Sequence, residues 1–343
     1  PPSVRYRADG MRGGRNCTSP FLLPARTALF SKRGALHLKE WTPHVQGPSF
    51  MSSATAAVSI VEPNADSLPP LSLRELFGDL HCRPDVTNEA YHADRSCVSV
   101  SGLKQLLRSP AHYQAYLNGH RKETPAMFLG TAVHARLLEP ELFADEYVIA
   151  PTSDKRQKAY KEFELAHANK RILTPDQAAS IEGIAQSVAT HVSARTLLRA
   201  GLVEHTIIWQ DEETGIWQKI RPDCLCIDFD TGICLDVKKT TDAAPASFSR
   251  ACVQYDYDLQ AAVYLEGLRR IFQRDFDFVF LAVEEDAPHG CALYGAPAEM
   301  LERGHRRYRE AMRILKACRD TDSWPSYQPD GDYELLSWPR WAV

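Results

Sequence analysis

The stretch "RPDCLCIDFDTGICLDVKK", residues 221–239, places two acidic residues within apolar runs of the kind that form buried strands. Asp223 precedes one run, Asp236 follows the next, and Lys238 comes two positions after the second acid. A buried carboxylate is costly unless it is paired, hydrogen-bonded or bound to a metal. The stretch therefore predicts a charged site that is built on two neighbouring strands.

A turn-rich segment, "DFDTG" at residues 228–232, lies between the two acids and predicts a β-hairpin. Facing residues of a hairpin have numbers with a constant sum, and pairing Asp223 with Asp236 centres the turn between residues 229 and 230. The two carboxylates are therefore predicted on adjacent strands, with Cβ atoms ~5 Å apart. Like charges at that separation repel, so we expect a cation between them.

The preceding hairpin repeats this arithmetic around "DEETG", residues 211–215, and places Glu204 level with Asp223 to within one residue. Lys238 shares a face with Asp236, because side chains two positions apart on a strand point the same way. Three acids in line predict a Mg²⁺ or Mn²⁺ site. A neighbouring lysine suits hydrolysis of a phosphodiester, in which negative charge develops. A surface ion pair is the competing interpretation of an isolated Asp-x-Lys.

The surrounding sequence predicts an α/β fold. Residues 99–201 carry helical signals, including Thr174 as an N-cap with Gln177 completing a capping box, and Gly201 as a stop. "LVEHTIIWQ", "IWQKIRPDCLCID" and "GICLDVKKT" then alternate as strands do, and a helix, a strand and a long amphipathic helix follow. We expect a mixed central sheet flanked by helices, preceded by an N-terminal helical region.

Charge and cysteine content narrow the functional classes. The formal net charge of -4 excludes a basic field over the whole protein, so any contact with DNA must use a local patch. None of the nine cysteines forms a CxxC pair, which argues against an iron–sulfur cluster. Cys224, Cys226 and Cys234 are predicted as small core residues, with a soft-metal site as the alternative. Without an apolar run of ~18 residues, a cytoplasmic protein with no membrane contact is expected.

Residues 1–75 differ from the rest of the chain. The first fifty are rich in arginine and poor in acids, and prolines recur in "VEPNADSLPPLS". This segment is predicted to be a disordered tail or a non-native leader, with a transit peptide as the alternative. Residues 76–343 are predicted to form one domain, with a helical part at 91–200 that carries His134 and a sheet core at 201–327.

The motifs resemble a known superfamily. "RPD", with Asp223 thirteen positions before the Asp236 of "DVK", resembles the PD-(D/E)xK (restriction-endonuclease-like) nuclease signature. The flanking pieces "VSVSGLKQLLRSPAHY", "FLGTAVHARLLEPELFADEYV" and "YDYDLQAAVYLEG" resemble RecE-type exonucleases of prophage recombination systems, over about residues 91–327. This resemblance implies a Mg²⁺-dependent exodeoxyribonuclease, with Mn²⁺ as a substitute, that digests linear double-stranded DNA from 5′ to 3′. It also implies a RecT-like single-strand annealing partner and is compatible with a homo-oligomeric ring.

The resemblance also implies roles for individual residues. Asp223, Asp236, the main-chain carbonyl of Val237 and His134 would be metal ligands. Lys238 would orient or activate the attacking water and stabilise the phosphorane-like charge. The histidine lies in "GTAVH", where Gly130, one turn earlier, would let the helix backbone approach closely.

Three further residues match the family with their roles left open. Glu204 matches the acid of the first core strand and would help to bind a second metal or would orient Lys238 or Arg221. Gln260 and Tyr264 match a Q-x-x-x-Y element and share a helix face at i and i+4. They would hold the region of the scissile phosphate, or would form a polar cap over the sheet.

Two other functions compete with this reading. A RecB-like or CRISPR-adaptation nuclease subunit of a repair complex would share the core, but such relatives often carry an iron–sulfur cluster, which this cysteine pattern does not support. A non-catalytic DNA-binding recombination accessory would use the fold only as a clamp. Intact Asp223, Asp236 and Lys238 favour an active nuclease over that accessory.

Overall fold

The computed structural model describes residues 72–78, 81–119, 123–229, 231–328, 331 and 333–338. Nearly all of the leader predicted for residues 1–75 lies outside the described residues, and its predicted disorder stays a prediction. All described residues belong to one contact unit, residues 67–343. Among them, no helix combines the length and the apolar character that a membrane crossing needs.

The described residues form helices and strands of different lengths. The strands are β1 (Cys82–Arg83), β2 (Val98–Ser99), β3 (Tyr147–Ile149), β4 (Arg171–Leu173), β5 (Leu202–Val203), β6 (Thr206–Gln210), β7 (Trp217–Ile220), β8 (Cys224–Cys226), β9 (Gly232–Thr240), β10 (Phe276–Glu284) and β11 (Cys291–Gly295). The helices are α1 (Leu73–Phe77), α2 (Asn88–Ala93), α3 (Val100–Arg108), α4 (Pro110–Leu117), α5 (Pro125–Leu138), α6 (Pro140–Glu146), α7 (Lys158–Ala166), α8 (Pro175–Thr190), α9 (Val192–Ala200), α10 (Pro245–Gln254), α11 (Tyr257–Phe272) and α12 (Ala298–Thr321).

A five-stranded mixed sheet, in the order β11-β10-β9-β8-β5, forms the centre of the fold. Its inner strands β9 and β10 are parallel, and the β8–β9 and β10–β11 pairs are antiparallel. A second sheet has the order β1-β6-β7-β2, and β3 with β4 forms a short parallel pair. The predicted α/β fold with a mixed central sheet is confirmed.

Both predicted hairpin registers are confirmed. Leu225 faces Cys234 across β8 and β9, so Asp223, one residue before β8, stands level with Asp236. Val203 faces Cys224 across β5 and β8, and the next residue, Glu204, donates its N–H to the carbonyl oxygen of Asp223 at 3.3 Å. The cross-strand pairing that the residue numbers predicted is therefore correct for both hairpins.

The prediction of three continuous strands is wrong in one respect. The first predicted strand divides into β5 and β6 around Glu204, which has a φ of 53° that an extended strand cannot accommodate. The second divides into β7 and β8 around Pro222, which has no N–H to give to a ladder. Each half belongs to a different sheet, so the chain passes between the sheets at the level of the acids.

The predicted helix starts are correct, but two segments that were predicted as single helices are each interrupted. Thr174 and Gln177 form the expected capping box of α8, and the chain breaks as expected before Pro110. The helix expected to run to Gly201 is interrupted at His191, whose ring caps α9 by accepting the N–H of Ala194 at 3.2 Å. Another break, between α10 and α11, also lies inside a segment expected to be one helix.

Helices cover both faces of the central sheet. On one face, α3, α11 and α12 pack against β9 and β10 through residues such as Leu103 and Phe278. On the other face, α5, α8 and α9 pack through residues such as Val133 and Ile184. Gly304 lets α12 approach α11 closely, because a Cβ there would lie 2.0 Å from the carbonyl oxygen of Asp258. This contact fixes α11 over the strands that carry the acids.

Helix α1 packs on the second sheet. Its Leu73 and Phe77 are buried in a cluster with Val86, Tyr91 and Ile208 of that sheet's surroundings. Residues 72–75, which the sequence analysis assigned to the leader, are therefore part of ordered structure. The remaining domain boundaries stay predictions.

Candidate metal and catalytic site

The site lies where β8 begins beside β9. The ladder between them stops with Cys224 opposite Leu235, so the next outward-facing backbone groups of β9, the N–H and C=O of Val237, need other partners. Asp223 Oδ2 accepts the N–H at 2.6 Å, and His134 Nε2 donates to the carbonyl at 2.9 Å. Two side chains thus replace the missing strand and are held at the strand edge.

The histidine joins the two predicted ligands. Because the carbonyl of Val237 can only accept, His134 Nε2 carries a hydrogen, and Nδ1 faces Asp223 Oδ2 at 3.5 Å. A cation between these two facing acceptors would attract both of them. The Val237 oxygen, itself an expected ligand, has one further lone pair for a metal while the histidine bond is kept.

Three ligand groups converge on one point. His134, Glu204 and Asp223 each offer one donor atom, and these atoms lie within 4.8 Å of one another. One imidazole and two carboxylates form a donor set that suits Mn²⁺ or Mg²⁺. The donor chemistry and the facing imidazole and carboxylate atoms therefore fit a divalent cation at this point.

Glu204 brings a second carboxyl group next to Asp223. Burial, followed by the nearby Asp223, raises the pKa of Glu204 to about 8, although Arg221 opposes the shift. Arg221 Nε lies 2.9 Å from Glu204 Oε2 and also donates to the Glu204 carbonyl at 2.9 Å. Glu204 therefore contacts Arg221 and lies near His134 and Asp223, while its role in binding a metal stays a prediction.

Asp236 is turned to a different set of partners. It is 1% exposed, accepts a hydrogen bond from Gln260 Nε2 at 2.7 Å, and forms an ion pair with Lys238. Burial by itself would lower the pKa of Lys238, but Asp236 and Asp223 outweigh it and raise that pKa. The amine is therefore charged at neutral pH. Asp223 and Asp236 stand level, but only Asp223 contributes to the three-residue cluster.

Comparison with protein families places the chain. A family described as "PDDEXK-like domain of unknown function (DUF3799)" matches residues 99–335, which is more than half of the sequence. The chain belongs to this PDDEXK-like family. The expected membership of the PD-(D/E)xK superfamily is confirmed, while the RecE-type assignment stays a prediction.

One solved structure supports the fold of this PDDEXK-like protein. A crystal structure of a "putative exonuclease" from Eubacterium rectale matches with a TM-score of 0.52 and 16% identity, covering 74% of this chain and 96% of that one. The protein SSO0001 covers 54% of this chain with 86% of its own, at 11% identity and a TM-score of 0.24, which is too low to support an argument. The comparison with curated proteins returned no match.

Gln260 and Tyr264 face the site from α11, as their spacing predicted. Gln260 holds Asp236, and the Tyr264 hydroxyl donates to the carbonyl of Arg221 at 3.2 Å, next to the bend between β7 and β8. In this PDDEXK-like protein both residues therefore support the backbone and carboxylate that build the site. Contact with a phosphate remains a prediction for each.

One expectation about a nearby residue is wrong, and one alternative interpretation is excluded. A Cβ on Gly130 would meet nothing within 4 Å, so this glycine mediates no close approach of α5. The soft-metal alternative also fails, because Cys224 and Cys226 lie on one face of the sheet and Cys234 lies on the other. Both thiols on the first face are directed at the Leu197 carbonyl, at 3.5 and 3.3 Å, as small core residues.

Sequence reasoning missed two residues beside Lys238. The amine of Lys238 lies 4.9 Å from the ring centre of Tyr257, and the amine of Lys104 lies 5.5 Å from the same ring. Tyr257 stands one turn before Gln260 on α11, and this spacing was the available signal. Lys104 comes from α3 and had no signal, because its proximity is created by tertiary packing.

Proposed function

We propose that this PDDEXK-like protein is a divalent-metal-dependent exodeoxyribonuclease that digests linear double-stranded DNA. The observation that carries the proposal is the convergence of His134, Glu204 and Asp223 next to the charged Lys238–Asp236 pair. The name of the Eubacterium rectale protein supports an exonuclease. DNA as substrate, 5′ to 3′ polarity and 3′ single-stranded products rest on the resemblance to RecE-type enzymes.

Each residue has a role that follows from its contacts. His134, Glu204, Asp223 and the Val237 carbonyl would hold Mg²⁺, with Asp236 adjacent. The bound ion would polarise the phosphate and lower the pKa of a water molecule. Lys238 is charged, so it suits hydrogen-bond donation to the attacking water and stabilisation of the negative charge that develops on the phosphate.

The remaining polar residues of the site act by position. Gln260 fixes one oxygen of Asp236, which leaves the other for Lys238. Arg221 and Tyr264 brace the bend from which the Asp223 side chain projects. A catalytic group that is held by its neighbours loses less entropy on reaching the reactive geometry.

End-labelled duplexes test the proposal directly. Linear DNA labelled at the 5′ or the 3′ end is incubated with the full chain in Mg²⁺ or in EDTA, together with Lys238→Met and the matched surface variant Asp145→Asn. We expect Mg²⁺-dependent release of 5′ mononucleotides by the wild type and by Asp145→Asn, whose carboxylate is exposed on α6. Lys238→Met is expected to release almost none.

Three outcomes would overturn parts of this proposal. Hydrolysis that persists in EDTA would exclude a metal-dependent mechanism. Activity that survives Lys238→Met would place the chemistry elsewhere. Tight DNA binding without any cleavage would favour the non-catalytic accessory.

The biological setting is part of the same proposal. A 3′ single-stranded product is the substrate of a RecT-like annealing protein, and a homo-oligomeric ring would retain the duplex during repeated cleavage. Both would operate in the cytoplasm. Light scattering of the protein with and without duplex, and capture of a purified annealing protein, would test the ring and the partner separately.

A further inference from the structure

An exposed patch formed by Tyr255 and Val253 lies beside the candidate site. Tyr255, directly after α10, is 53% exposed, and Val253 is 60% exposed two residues earlier. The Tyr255 ring lies 5.9 Å from the ring of Tyr257, which lies 4.9 Å from the amine of Lys238. Together these distances limit Tyr255 to about 11 Å from that amine. The patch is therefore within one to three nucleotides of a phosphate held there, at ~3.4 Å per nucleotide.

A second lysine completes this patch. Lys104 Nζ donates to the carbonyl of Tyr255 at 2.6 Å and lies 5.5 Å from the centre of the Tyr257 ring. An ammonium group has three donors, so the bond to the carbonyl leaves two for another acceptor. Lys104 and Lys238 approach the same aromatic ring, Tyr257, which lies next to the exposed ring of Tyr255.

The acids of this segment do not make the surface repulsive to DNA. Asp256 pairs with Arg307 at 2.7 Å, and Asp258 pairs with Arg303 at 2.7 Å and with Arg307 at 2.9 Å. Two arginines thus balance two carboxylates, and the charge of Lys104 is left over. Single exposed apolar residues are ordinary, but an exposed tyrosine next to a lysine amine has the composition of a strand-binding platform.

We infer that Tyr255 and Lys104 form a subsite for an unpaired nucleotide next to the cleaved phosphodiester, the ring stacking on the base and the amine binding its phosphate. This inference rests on the proposed nuclease function and extends it. A base inside a duplex has no free face, so the subsite engages a strand that has separated at a DNA end. It therefore favours action at ends over cleavage within duplexes.

Steady-state kinetics on blunt and on frayed-end duplexes test the subsite. Tyr255→Ala is expected to raise KM by about 5- to 150-fold, the fold-change for loss of one stacked base, with a smaller change in kcat. Tyr255→Phe and Tyr255→Trp should restore KM, because each keeps a stacking face. Lys104→Met should raise KM and make it less sensitive to salt, since a phosphate contact is lost. Tyr333→Ala, which removes another exposed tyrosine, is the matched control.

A binding measurement separates this inference from the proposed function. Duplexes with 2-aminopurine at the terminal position of either strand are saturated with protein in EDTA, where no cleavage occurs. We expect lower emission with the wild type and Tyr255→Phe than with Tyr255→Ala, because stacking quenches the base. A wild type that cleaves no DNA overturns the nuclease proposal. A wild type that cleaves, with Tyr255→Ala equal to it in KM and in emission, overturns the subsite alone.

Discussion

Two buried lysine–aspartate pairs of this protein show how a structural site differs from a functional one. Lys219 pairs with Asp94 at 3.2 Å, with both side chains 3% exposed, and Lys238 pairs with Asp236, with side chains 14% and 1% exposed. Both pairs involve a lysine of the strand hairpins. Their surroundings are different.

The first pair has every hydrogen-bonding group satisfied. Asp94 accepts from the N–H groups of Leu73, Ser96 and Cys97 and from the Ser96 hydroxyl, and Lys219 also donates to the carbonyl oxygens of Tyr91 and Asp94. This pair ties α1 and α2 to β7. A fully satisfied network of this kind stabilises the structure and leaves no group for a ligand.

The second pair lies beside an excess of acids. Glu204 and Asp223 converge with His134, and Arg221 is the cation paired with Glu204. Charges of one sign that fold together without balance have to be stabilised by a ligand or by protons. The lesson is that unbalanced charge, more than burial itself, distinguishes the functional pair.

The largest effect is expected from Asp223→Asn. The asparagine oxygen can still accept the N–H of Val237, so the fold should be kept, and removal of repulsion from Glu204 should leave stability equal or higher. Activity should fall at least ~100-fold, since even outer partners of metal ligands contribute 10- to 100-fold. Nuclease assays and urea unfolding of the same preparation measure the two quantities. A marked loss of stability would indicate that Asp223 stabilises the fold, and would contradict its assignment to a functional site.

Lys219→Met should show the opposite behaviour. It leaves Asp94 buried without its cation, which is expected to lower the free energy of unfolding by about 3–5 kcal/mol. The kcat of the folded fraction should be unchanged. Lys158→Met is the matched control, because that lysine is exposed and its pair with Glu162 contributes less than ~1 kcal/mol. Equal urea midpoints for Lys219→Met and Lys158→Met would refute the assignment of Lys219 and Asp94 as a structural pair.

Gln260→Met probes the support of the functional pair. The variant keeps the side-chain volume on α11 but removes the donor to Asp236, a hydrogen bond to a charged group of about 1.5–3 kcal/mol. If that bond acts through the geometry of Lys238, kcat should drop by about 10- to 100-fold with little change in KM. A rise in KM at constant kcat would instead indicate that Gln260 contacts the substrate.

The pH dependence of stability tests the structural pair of Lys219 and Asp94. Burial acts to raise the pKa of Asp94, but the Ser96 hydroxyl, Lys219 and two backbone N–H groups outweigh it and lower that pKa. A depressed pKa contributes stability that is present above the unfolded value of ~3.9 and is lost as pH falls through the folded value. Urea midpoints measured between pH 7 and pH 2.5 should therefore decrease once the pH is below about 4. The decrease should be less steep in Asp94→Asn than in the wild type. If the urea midpoints of the wild type and Asp94→Asn depended on pH in the same way, this expectation would be wrong.

Local sequence predicted the parts of the fold that depend on near neighbours. The register of each hairpin follows from its turn and from the alternation of side chains, and both positioned Glu204, Asp223 and Asp236 at one level. The capping box at Thr174 was likewise readable, because it uses groups three residues apart. The family, too, could be inferred from these motifs.

Other features of the site depend on contacts between distant segments. The split of two strands at Glu204 and Pro222 could not be read from alternation, because the competing sheet is formed by segments elsewhere in the chain. Which way the Asp236 carboxylate turns depends on Gln260 and Lys238 together. The convergence of Glu204 with His134 likewise depends on where α5 packs.

By itself, the sequence determined which acids share a level and which lysine accompanies them, because turns and strand periodicity act over a few residues. Only the tertiary structure decided that His134 replaces a missing strand at Val237, that Lys104 approaches the ring of Tyr257, and that Asp94 neutralises Lys219. Those contacts join residues more than one hundred positions apart. They form only when the burial of apolar helix faces outweighs the entropy of closing such long loops.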